Sequence, residues 1–146
     1  MRSLLPPPRC AGLAALLVAI AHTVAPALGA EPVQGLVQHL QKEIGLNETQ
    51  ARDALGALLV FAREQLPQPE FTDLTDGMGG ADQLMQDATL HGVITRPLDT
   101  IEEYEAALAS LGIAQSRASR VAPAVLQHLG SAGLIEEREI LASVLE

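Results

Sequence analysis

Cysteine occurs once in this 146-residue chain, tryptophan is absent, and the aromatics are Phe61, Phe71 and Tyr104 alone. With Cys10 the single thiol, no disulfide can form within the chain, and any core is held by apolar packing. Basic residues are also scarce, nine against eighteen acids, and they are scattered singly. Nucleic acid and anionic membrane surfaces both bind through clustered Lys and Arg that release counterions or neutralise headgroups. The scattered charges argue against both partners. Strand signals are missing too: β-branched residues never alternate with polar ones over a useful length, whereas Ala and Leu abound, which is helix-forming material.

What the chain does have begins with an export signal. Arg2 and Arg9 flank a short amino-terminal region, and Cys10 to Ala21 is an unbroken run of apolar or small residues, the layout of a secretory leader. Cleavage is expected after Ala27, Gly29 or Ala30, so that residues 1–30 form the signal peptide and residues 31–146 a single helical domain. An uncleaved anchor is the rival reading, because no charge falls between Cys10 and Ala30. His22, Thr23 and Pro26 make the end of that stretch poorly apolar and favour cleavage. Pro8 and Arg9 precede Cys10 where lipid attachment needs small apolar residues, which argues against a lipidated start. Without Arg2 and Arg9, seven basic residues face the eighteen acids, a net of −11 against −9 for the whole chain. About 116 residues suffice for one core that covers around two-thirds of the unfolded surface. The expected address is periplasmic or secreted, with no stable membrane insertion after cleavage.

Behind the leader, a helix, Gly, helix pattern occurs twice. Ile44-Gly45-Leu46 with Gln50-Ala51 recurs as Leu111-Gly112-Ile113 with Arg117-Ala118, 67 residues on. Val33, Leu36, Val37, Leu40 and Ile44 follow at spacings of three and four, giving one apolar face to a first helix over 32–44. Asn47, with Gln50 three residues later, reads as the cap of a second helix running to Leu66. Its stretch Ala54 to Ala62 has no polar side chain and should be the central element, with Gly56 marking close helix packing. From Pro67 to Pro97 the pattern loosens into a turn of helix at 70–75, a Gly77-Met78-Gly79-Gly80 breaker and a short helix over 81–88. A fourth helix over 98–111 carries Leu98, Ile101, Tyr104, Leu108 and Leu111 on one side. A fifth over 115–129 carries Ala118, Val121, Ala122, Val125, Leu126 and Leu129, with a kink at Pro123. A last helix over 134–145 offers Leu134, Ile140, Leu141, Val144 and Leu145 to the core. The expected fold is all-α, a small bundle of five or six helices, as two helix-Gly-helix hairpins joined by an irregular middle segment.

Both hinges, together with Leu55-Gly56-Ala57-Leu58-Leu59, Ala62 and Val121-Ala122-Pro123-Ala124-Val125-Leu126, resemble the VcgC/VcgE family of uncharacterised bacterial exported proteins over nearly the whole mature chain. The resemblance implies a small all-helical protein of envelope or secreted location, and it brings no catalytic residues to carry over. Ala114, where a better capping residue would be usual, and the Gly-rich acidic stretch Asp73 to Asp87 depart from that pattern.

Chemistry finds little purchase in the residues themselves. His39, His91 and His128 lie far apart in sequence, so a zinc site would need three distant segments. Asp73, Asp76, Asp82 and Asp87 around Gly77 lack the one, three, five spacing of a calcium loop. Ser110, Ser116, Ser119, Ser131 and Ser143 stand in helix-end or surface contexts with no Gly-x-Ser-x-Gly elbow. The pairs Glu102-Glu103 and Glu136-Glu137 read as solvated helix starts, and Gly77 to Gly80 lacks the Lys-Ser/Thr of a phosphate loop. Arg117 and Arg120 at a helix start suggest a helix-turn-helix, which export and acidity oppose. No catalytic residue, metal ligand or cofactor is therefore expected, and binding residues are not assigned. Two functions remain: a non-catalytic interaction module of the cell envelope, meeting a protein partner or a second copy through Gly56 and the fifth helix, or a carrier of a small apolar ligand in a cavity lined by Leu55, Leu58, Leu59, Phe61, Val125 and Leu126.

Overall fold

The computed structural model describes residues 31–146; the expected leader, with its cleavage positions, lies outside the described residues. Within them the protein is all-helical, with seven helices and no strand: α1 Glu31–Ile44, α2 Glu48–Gln65, α3 Gln68–Met78, α4 Ala81–Leu90, α5 Ile101–Ser110, α6 Gln115–Ser131 and α7 Ile135–Leu145. None of these helices is long and apolar enough to cross a membrane.

Seven helices replace the expected five or six because the middle segment is more regular than its composition suggests. Where one turn was expected at 70–75, α3 runs for 11 residues, with Pro69 in its first turn and Phe71, Leu74 and Met78 buried. Pro is tolerated there because the first amides of a helix have no carbonyl to bond. Gly77 and Met78 belong to α3, so the break is Gly79-Gly80 alone, and both adopt positive φ. The helix expected over 98–111 starts later, at Ile101. Its start is fixed by Thr100, whose hydroxyl accepts from the Glu103 amide while the Glu103 carboxylate reaches back to the Thr100 amide, a capping box that satisfies two free donors. The Asn47 and Gln50 pair does the same for α2.

Burial follows the apolar stripes. All residues of α2 from Asp53 to Ala62 are buried, and α2 packs against α1, α3, α4, α5 and α7. At Gly56 the backbone of α4 comes so close that an added Cβ would lie 2.8 Å from Ala88 Cβ and 2.9 Å from the Leu84 carbonyl carbon. That contact is the close packing the glycine predicts, and it leaves Gly56 unavailable to an external partner.

The spacing of 67 between hinge glycines extends further than the hinges. Adding 67 to the bounds of α3 gives the bounds of α7, and α6 starts where the start of α2 falls. Equivalent positions are buried in both copies, as in Val37 and Tyr104, Leu46 and Ile113, Ala51 and Ala118, Ala54 and Val121, Leu58 and Val125, and Ala62 and Leu129. Packing obeys the same rule: α1 lies on α6 as α2 lies on α5, α1 on α2 as α5 on α6, and α3 on α7. The equivalent residues Gln50 and Arg117 brace opposite hinges, Gln50 Nε2 donating to the Leu111 carbonyl at 3.0 Å and Arg117 Nη1 to the Gly45 carbonyl at 3.4 Å.

Candidate functional site

An open, largely apolar groove of about 320 Å³ lies between α5, α6 and α7. Helix α5 contributes Ile101, Tyr104 and Glu105, α6 contributes Ala118, Ser119, Ala122, Pro123 and Leu126, and the end of α7 contributes Ala142, Leu145 and the following Glu146. Ile101, expected in the core, is 40% exposed here. Because Pro123 has no N–H, the Ser119 carbonyl one turn earlier loses its helical donor. Tyr104 is buried against Phe61, the ring centres 5.8 Å apart. Its hydroxyl has no hydrogen-bond partner among the described residues, and burial, with Glu105 adding to it, pushes the phenol far above its usual range. The groove thus combines apolar walls, one carbonyl without its helical donor and two acids, Glu105 and Glu146, at its edge.

Two further groupings involve histidine. Asp53, the one buried charged residue among those described, accepts from His91 Nδ1 through both carboxylate oxygens, at 2.8 and 2.9 Å. This pair ties α2 to the end of α4. Beside it Arg52 donates to Asp87 at 3.0 Å and Gln83 to the same carboxylate at 2.7 Å; these two bonds hold Asp87 below the usual carboxylate range. Packing of α1 on α6 brings His39 and His128 together, ring centres 5.0 Å apart. Burial, and then the neighbouring His39, hold the His128 imidazole below its usual value.

Other residues singled out in the sequence take structural parts. Arg117 and Arg120 donate to the Gly45 and Glu43 carbonyls at the end of α1, where cations complement the helix dipole. Asp73 and Asp76 sit on α3, Asp82 and Asp87 on α4, so no acidic loop surrounds a cation position. The hydroxyls of Ser110, Ser119, Ser131 and Ser143 donate to carbonyls of their own helices. Among the described residues no group of three or more His, Cys, Asp or Glu is placed to hold a metal ion. Of the six residues expected to line an internal cavity, Leu55, Leu58, Leu59, Phe61 and Val125 are packed in the core, and only Leu126 reaches the groove. The Asp53–His91 and His39–His128 pairs had no local signal, since their members are 38 and 89 residues apart.

Fold and groove together define a small all-helical domain with an open, largely apolar groove. The family described as protein of unknown function VcgC/VcgE matches residues 13–143, most of the chain, and the protein belongs to that family. No curated protein and no solved structure matches it.

Proposed function

We propose that the protein is an exported, non-catalytic interaction module of the cell envelope, built on two helix-Gly-helix hairpins, whose groove between α5, α6 and α7 receives an apolar segment of a protein partner. The groove itself carries this reading. Full burial of an aliphatic side chain such as Ile101 is worth about 1.5–3 kcal/mol, so covering this face stabilises a complex. The acids at the edge, Glu105 and Glu146, favour a partner with basic residues flanking its apolar segment. They disfavour a second copy of this acidic chain, because like charges meeting across an interface are costly. The test is a photo-crosslinking residue in place of Ile101 in the exported full chain, compared with one in place of Leu90, which is 74% exposed on α4. The expected result is one discrete protein adduct from position 101 and none from position 90. Equal labelling at both positions, or none at either, contradicts the reading.

The carrier of a small apolar ligand is supported by one observation, the largely apolar lining of the same groove, which a ligand of matching size would cover. Native mass spectrometry decides between the two: a bound small mass lost on Ala122→Asp favours the carrier, and a protein-sized adduct lost on the same change favours the module.

A further inference from the structure

Shifted by 67 residues, the groove coincides with a site that is already filled. Pro123 is the counterpart of Gly56, Ser119 of Arg52, Leu126 of Leu59, and Leu145 of Met78. In the first copy α4 lies on this face: its backbone presses on Gly56, Asp87 pairs with Arg52, and α4 packs on both α2 and α3. Among the described residues every helix of the first copy except α4 has a counterpart in the second, and the face that α4 covers in the first copy is open in the second.

We propose, resting on the reading of the groove as a protein-docking surface, that the occupant is an amphipathic helix of about three turns, supplied by the partner and lying on α6 as α4 lies on α2. Several features define it. Ala81, Leu84, Met85 and Ala88 are the residues α4 buries, so the occupant presents small and aliphatic side chains at the same three-and-four spacing. Pro123 replaces Gly56, and its ring holds the incoming backbone farther off than α4 stands from α2. Larger aliphatic side chains therefore fill the space along the crossing. Arg52, which anchors Asp87 of α4, has the neutral Ser119 as counterpart, while Glu105 and Glu146 form the edge; the occupant carries Lys or Arg where α4 carries Asp87. Donors on that helix also reach the Ser119 carbonyl that Pro123 leaves without its N–H.

The experiment extends the chain beyond Glu146 with a second copy of Gly80 to Val93, restoring the spacing of the first repeat, in a Cys10→Ser background with Leu126→Cys as reporter. A tether of this kind supplies the helix at an effective concentration of about millimolar, so weak docking is still seen. It is made with Pro123 and with Pro123→Gly, the latter recreating the Gly56 crossing. Thiol labelling at position 126 is expected to slow roughly tenfold or more in the Pro123→Gly chain and less with Pro123, because labelling of a covered site tracks its open fraction. Circular dichroism should gain about three turns of helix. An extension whose counterparts of Leu84 and Met85 are aspartate should give neither effect. Unchanged labelling and no added helix in the Pro123→Gly chain overturn the inference. An adduct at position 101 obtained alongside that failure leaves the docking surface standing with a non-helical occupant.

Discussion

Tyr104, like His39 at its Nε2, carries a buried polar atom with no hydrogen-bond partner among the described residues. Its hydroxyl is buried without a partner, and an unmade hydrogen bond costs about 1–3 kcal/mol. Tyr104→Phe keeps the ring contact with Phe61 and should leave stability unchanged or raise it by about 1 kcal/mol in urea unfolding; a loss of similar size would reveal a partner for the hydroxyl. Because burial raises the folded phenol's pKa, the tyrosine contribution is fully present below about pH 10, the unfolded value. It is lost as pH rises further, and Tyr104→Phe should resist that alkaline loss. For His128 the shift runs downward, so between the folded value and the unfolded one, about 6.5, the unfolded chain binds more protons. Stability therefore falls as pH drops through this window. Urea titrations at pH 7.5 and 5.5 should show a smaller drop for His128→Gln than for the parent, and equal drops would remove His128 as the cause. Residue-level features were legible where the cause is local: the Asn47 cap and the hinge glycines at 45 and 112, both with positive φ. The Thr100 and Glu103 capping box is equally local, but the apolar period beginning at Leu98 points to an earlier start. Asp53 with His91, and His39 with His128, depend on which helices meet, which no window of sequence contains.

Among the elements, α2 and α6 invite direct comparison, since Gly56 and Pro123 hold equivalent places. Gly56→Ala would drive a methyl into the Leu84 carbonyl and Ala88. Overpacking costs about 1–3 kcal/mol and the helix gain returns up to about 1, so a net loss of about 1–2 kcal/mol is expected in denaturant unfolding. Pro123→Ala should act in the opposite sense, because position 123 is exposed and the change restores an amide donor to Ser119. Proline inside a helix costs about 3 kcal/mol or more when nothing relieves it, so a gain of up to about that size is expected; a loss would mean that Pro123 makes contacts the groove does not account for. The central place of α2 was readable from its run of nonpolar side chains. The extent of α3 was not, although Phe71, Leu74 and Met78 already stood at helical spacing, because Pro69, Gly77 and four Thr or Asp residues lower helix propensity and only burial against neighbours overrides it. Gly77 leaves room for Glu137 of α7, whose side chain occupies the place a Cβ would take.

At the level of the whole molecule, the sequence showed two related hinges and an all-helical fold, and the structure adds that the copies run through α3 and α7. What remained hidden is an asymmetry among the described residues: α4 lies on α2, and no described helix lies on the equivalent face of α6. The account holds that this difference leaves the second copy's face open for a partner. The most direct measurement is the labelling of a single introduced thiol at the equivalent positions Leu59→Cys and Leu126→Cys, each in a Cys10→Ser background. Leu59 is 1% exposed beneath the first copy's helices, whereas Leu126 is only partly buried and lines the groove. The account predicts that position 126 reacts without unfolding, at a rate independent of stability, while position 59 reacts only through global unfolding and slows as the protein is stabilised. Equal protection of the two thiols would contradict it.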